Sequence, residues 1–239
     1  WVATQDDEST FTGKNFLTAT GGTATTCGNC KIHTFTGPGT FTVSQVSSCA
    51  PENIVSYMVI AGGGGAGHSY PTSNGGGGGG AGGYREIKNP VTPYTASPLD
   101  GFGTPANQVT VTASAFPITV GGGGPGHTPS AAGTAGSNSI FSTITSAGGG
   151  KGGANGPGSG SPSNPTTGGS GGGGAGGTSA AALGGGSAGN TPPVSPPQGN
   201  QGGYGDGSTG APLALGGGGG GATQEGFNAD RTAPIPATN

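Results

Sequence analysis

The sequence predicts an all-β protein: short antiparallel strands joined to packed polyglycine-II helices, with essentially no α-helix. Three observations carry that expectation. The chain has 61 Gly and 20 Pro in 239 residues, and a helix interior loses about 1 kcal/mol for each Gly and about 3 for each Pro. Its apolar segments are short and rich in Thr, Val and Phe, the residue types that suit strands. Its glycines gather in runs that follow those segments.

Such a composition ordinarily signals low complexity. Charged residues, however, make up only 6% of the chain and the formal charge is −3, little for a chain that must stay solvated without folding. Ordering it costs roughly 1–2 kcal/mol per residue, with Gly at the high end. Glycine has no side chain to bury. The compensation must come from main-chain hydrogen bonds, each worth about 1 kcal/mol net. With 28% apolar residues, the expected core is thin, and sharing it between copies in a homo-oligomer would thicken it.

Residues 1–30 have a more ordinary composition, with apolar Trp1, Phe11, Phe16 and Leu17, and read as an attachment segment. Residues 31–239 read as one glycine-rich domain. Within it, Thr34–Thr36 and Thr40–Val43 flank the turn signal Gly37–Pro38–Gly39 and predict a hairpin from His33 to Ser44. Further strands are expected at Val55–Ile60, Val109–Thr112 and Phe141–Ile144.

Glycine runs follow at 62–65, 75–80, 121–124, 148–150, 171–174, 184–186 and 216–221. Their spacing is irregular, so no fixed-period solenoid is expected. A pure glycine run has one well-packed ordered option: a polyproline-II-like helix of three residues per turn and about 3.1 Å rise. Its N–H and C=O groups all point outward and can pair with neighbouring runs, provided no Cβ intrudes. Gly62, Gly63, Gly64, Gly78, Gly79, Gly121, Gly122, Gly172 and Gly218 are the expected scaffold positions. The longer segments between runs become loops at the ends of the block. Tyr70, Tyr84, Tyr94, Phe102 and Tyr204 stand in or beside them as candidate recognition anchors.

Little else points to chemistry. Gly62-x-Gly64-x-x-Gly67 matches the dinucleotide fingerprint by letters, but that site needs a helix next, and residues 68–80 cannot form one. Cys27, Cys30 and Cys49 are disulfide candidates, most simply Cys27 or Cys30 with Cys49, alternatively Cys27–Cys30. Free thiols, or a zinc site completed by His33, are the other readings. His33, His68 and His127 have no evident catalytic partners. No cofactor, metal or enzymatic activity is expected. Six Lys and Arg scattered along the chain argue against nucleic acid. No apolar run is long enough for a membrane-spanning helix.

The ordered set Ile32–Val43, then Tyr57–Gly65, then Gly78–Tyr84, then Phe116–Gly122 and Asn138–Phe141, resembles the glycine-rich domain of phage tail fibres, many of them marine. The likeness runs from about Lys31 to the C-terminus. The run-and-loop design is also similar, in architecture alone, to the tip adhesins of T-even-type phages, where polyglycine helices pack into a sandwich and distal loops touch the host. The resemblance implies a non-enzymatic fibre or adhesin protein, virion-borne or extracellular. It would bind a host glycan or membrane protein, assemble with other fibre subunits and form a homotrimer. A purely structural filament or virion-surface subunit is the alternative. The loops expected to carry recognition are chiefly 84–108 and 190–210.

Overall fold

In a computed structural model, the described residues are 2–5, 15–68, 75–128, 133–154, 164–177, 184–206 and 214–230. They form two parts, a β-sandwich and a bundle of glycine runs. Trp1, Phe11 and Tyr70, and parts of several expected loops, lie outside the described residues.

The strands are β1 Val2–Gln5, β2 Thr18–Thr20, β3 Thr23–Cys27, β4 Cys30–Thr34, β5 Gly39–Gln45, β6 Ser56–Ile60, β7 Tyr84–Ile87, β8 Ala115–Thr119, β9 Ser139–Phe141 and β10 Ile144–Ser146. They make two five-stranded sheets, in order β3-β4-β1-β6-β7 and β10-β9-β8-β5-β2, with every strand pairing antiparallel. The only helical pieces among the described residues are two 3₁₀ turns, Ala50–Asn53 and Pro105–Asn107.

Between the sheets lies the core. Leu17, Ala19, Phe41, Val43, Phe141 and Ile144 come from one side, and Val55, Tyr57, Val59 and Ile87 from the other. Phe141 packs edge-on against both Tyr57 and Phe41. His33 is fully buried, its ring 5.2 Å from that of Phe41.

Several expectations need correction. The segments flanking Gly37–Pro38–Gly39 are not a hairpin. β4 belongs to one sheet and β5 to the other, because His33 and Phe41 meet across the core. The actual hairpin is β3–β4, closed by Gly28–Asn29 with Cys27 opposite Cys30 and Gly28 at φ 57°. Phe141–Ile144 is the turn of the β9–β10 hairpin, with Ser142 at φ 55°. Val109 and Val111 are buried and bond Val55 and Asn53 without forming a full strand. The described part of residues 1–30 does not stand apart: β1 lies between β4 and β6, β2 pairs with β5, and Leu17 is in the core.

Strands lead straight into glycine runs. β6 continues into run 1 (61–68), which returns as run 2 (75–83) into β7. β8 leads into run 3 (121–128), which returns as run 4 (133–138) into β9. β10 leads into run 5 (147–154). Runs 6 (168–177), 7 (184–190), 8 (199–206), 9 (214–221) and 10 (224–230) complete the bundle.

The main-chain bonds between runs have a period of three. Run 1 donates from residues 61, 64 and 67 to run 2 at 83, 80 and 77, and from 62 and 65 to run 4 at 137 and 134. Run 6 donates from 170, 173 and 176 to run 2, and from 171, 174 and 177 to run 8. A β-ladder alternates with period two; a threefold helix turns every third N–H to the same neighbour. The pairings define an upper layer in the order 3-1-2-9-10 over a lower layer 4-5-6-8, with run 7 beneath runs 6 and 8.

Candidate functional site

The hydrogen-bond register fixes which end of each run faces away from the sandwich. At that distal level Gly67 bonds Gly77, His127 bonds Ala66, Gly153 bonds Gly173, Gly184 bonds Ala175, Gly177 bonds Asp206, and Asp206 bonds Leu215. The chain therefore leaves the described residues at 68, 128, 154, 177 and 206 at one common end. It re-enters there at 75, 133, 164, 184 and 214. Run 10 also heads toward it, with Ala229 bonded to Tyr204.

The five aromatic candidates do not gather at this end. Tyr204 is on run 8, close to it, and 55% exposed. Tyr70 is outside the described residues. Tyr84 opens β7 and is half-buried; its hydroxyl donates to the Glu86 carboxylate at 3.0 Å. The Tyr94 hydroxyl donates to Ile87 O at 3.2 Å. Burial, then the nearby Glu86 carboxylate, pushes this phenol well above its ordinary range. Phe102 packs against the core.

The connection 88–108 is held to the sandwich instead. Glu86 accepts from the Ser97 amide at 3.0 Å and from the Ser97 hydroxyl. The Asp100 carboxylate accepts from the amides of Lys88 and Phe102, both at 3.0 Å. Asn107 accepts from the buried Arg85 at 2.6 Å and donates to Ser195 O at 2.7 Å. Gly101 N bonds Glu86 O in β7, so this connection covers the outer edge of an edge strand. The 190–198 segment lies at the same junction: buried Gln198 accepts from Ala147 N at 2.8 Å and its carbonyl accepts from Tyr84 N.

The scaffold glycines divide by room for a side chain. A Cβ on Gly62, Gly64, Gly79, Gly121 or Gly172 would lie under 3.0 Å from a neighbouring carbonyl oxygen. On Gly78 it would lie 2.7 Å from Gly219 N, and on Gly218 3.1 Å from Phe227 N. Gly63 would make an ordinary contact at 3.6 Å, and Gly122 would meet nothing within 4 Å. None of the described run glycines has a positive φ. Close approach, not handedness, is what demands glycine here.

The fingerprint-like glycines are part of the same network. Gly62, Gly64 and Gly67 donate to Ser137, Gly80 and Gly77, so those amides already have partners within the bundle. Cys27, Cys30 and Cys49 are free thiols. Burial and the neighbouring Cys27 hold the Cys30 thiol above its ordinary range, which disfavours the thiolate. His33 lies three residues along β4 from Cys30, so the alternation of the strand turns it to the other face, where its Nδ1 meets Gly21 O at 2.7 Å. Among the described residues no three His, Cys, Asp or Glu converge on a metal site. Sequence reasoning missed one pairing: His68 and His127, far apart in the chain, meet at the distal end with ring centroids 5.4 Å apart.

The described residues thus form a β-sandwich extended by a main-chain-bonded glycine bundle that returns its chain repeatedly to one end. The chain belongs to a family described as a glycine-rich domain, which matches residues 34–237. No curated protein and no solved structure matches it. No helix among the described residues is long and apolar enough to cross a membrane.

Proposed function

We propose that this chain is a non-enzymatic adhesin of a phage tail fibre, carried on the virion, whose distal inter-run segments contact a host-surface glycan or membrane protein. It works as a homotrimer joined to other fibre subunits. The observation that supports this reading is the shared end: five separate excursions of the chain leave and re-enter the bundle there. Within the runs, most glycines cannot change without placing a Cβ against a neighbouring run, so variation is expected outside them. This moves the recognition surface from 84–108, which is tied to the sandwich, toward 69–74, 129–132, 155–163, 178–183 and 207–213, with Tyr204 beside them. The low charge suits aromatic and neutral polar contacts, which salt screens little.

The test uses a fluorescent form of the full chain on a panel of bacterial surface polysaccharides and whole cells. Replacing 155–163 and 207–213 by glycine-serine segments of equal length should abolish binding while the melting temperature stays put. Retained binding with both segments replaced would defeat the reading.

A second reading, a structural subunit of an extracellular filament, is favoured by the outer face of the upper layer. The N–H and C=O groups of the partly exposed Gly76, Gly79, Gly216 and Gly219 bond no described residue. Runs 2 and 9, which carry these groups, contain none of the Lys or Pro that usually guard an open edge. Sedimentation in which the chain grows into long assemblies without binding any cell would support it.

A further inference from the structure

His68 and His127 stand at the distal ends of runs 1 and 3, which are bonded side by side through His127 N and Ala66 O at 2.9 Å. Their rings are tilted by 46° with centroids 5.4 Å apart. Both ring nitrogens of His127 are closed off from solvent and neither has a hydrogen-bond partner. A neutral imidazole offers one donor and one acceptor. Enclosing both without a partner is an uncommon arrangement that calls for an ion or water to complete it.

The spacing fits an ion. Imidazole nitrogen binds zinc at about 2.0–2.1 Å, and the ring centre lies about 1.1 Å farther on, so two rings at a tetrahedral angle have centres about 5 Å apart. We propose that His68 and His127 are two ligands of a divalent transition-metal ion of the zinc, nickel or copper class. Imidazole suits these ions; calcium and magnesium require oxygen donors. Water or oxygen donors complete the shell. The ion cross-links runs 1 and 3 where the chain departs for 69–74 and 129–132, and so fixes the spacing of two distal segments. The site stands independently of what those segments recognise.

The experiment takes the full chain without a histidine tag, stripped with EDTA, and titrates it with zinc by calorimetry at pH 7.5, with magnesium as control. The expected result is one zinc per chain, a higher melting temperature, and no response to magnesium. His68→Gln and His127→Gln should each weaken zinc binding at least about tenfold. A Cys27→Ser/Cys30→Ser form should keep it, which separates this site from the thiols. If either histidine variant fails to fold, the ring-nitrogen resonances of His68 and His127 in the unsubstituted chain provide the readout: both should shift on adding zinc. Absence of binding by the folded chain would overturn the proposal. So would zinc that follows the cysteines, or histidine resonances that do not move.

Discussion

At Gly64 an added Cβ would run into Gly150 O of run 5, while at Gly122 it would meet nothing within 4 Å. Both are glycines inside runs, so composition alone treats them alike. Gly64→Ala should cost about 3 kcal/mol or more, because runs 1 and 5 are held by main-chain bonds on several sides and cannot move apart. Gly122→Ala should leave stability unchanged or raise it by up to about 1 kcal/mol, by restricting the unfolded chain. Calorimetric melting of the two variants checks the contrast; equal losses would mean that the runs are packed less closely. Tyr57 gives a second test. Its hydroxyl donates to Asn107 O at 2.7 Å, and burial holds its phenol far above the ordinary range. The fold therefore favours the neutral phenol. That stability is complete below about pH 10, where an unfolded tyrosine begins to ionise, and is lost as pH rises further. Melting temperatures from pH 8 to 11 should fall less steeply in Tyr57→Phe than in the parent chain. Tyr84, Tyr94 and the Cys30 thiol, all likewise raised, add to the slope in both forms.

At the scale of the single element, a run reveals its conformation through its hydrogen-bond period. In run 2, Gly77, Gly78, Gly80, Ala81 and Gly83 donate to neighbours, while Gly76, Gly79 and Gly82 donate to no described residue. Residue-resolved hydrogen exchange should accordingly show every third amide of run 2 exchanging fast between protected pairs; alternate or uniform protection would contradict the register. The connection 88–108 is a different sort of element, held by side chains. Asn107→Ala would leave the buried Arg85 guanidinium without the acceptor it now has. It should cost about 2–3 kcal/mol in denaturant unfolding. The sequence disclosed these elements unevenly. Runs and strands were readable because glycine and the Thr/Val/Phe segments differ so sharply in composition. The pairing of β4 with β3 instead of β5 was not, since Gly37–Pro38–Gly39 signals a change of direction but not whether the chain stays in its sheet. Nor was the order of runs, whose near-identical sequences encode no choice of neighbour. The His68–His127 pairing follows from that order and was equally hidden.

For the whole molecule, the core is small and the backbone network takes its place. Runs 5 and 6 are enclosed by other runs and joined to them along their length. Their amides should be the slowest to exchange in the bundle, with protection approaching that of global unfolding. Exchange of Gly150, Gly153, Gly173 and Gly174 as fast as that of edge residues would show instead that the bundle opens independently of the sandwich.

The direct passage of β6, β8 and β10 into runs 1, 3 and 5 also has a mechanical consequence. Hydrogen bonds between runs lie across the long axis of the runs. A force applied along that axis, from sandwich to distal end, would load many of them together in shear. A sideways pull on run 10, an outer run whose main chain is bonded to runs 8 and 9, would open those bonds one at a time. The molecule should thus be stiff along its length and weak across it, yielding at much higher force when stretched from end to end than when an outer run is peeled away.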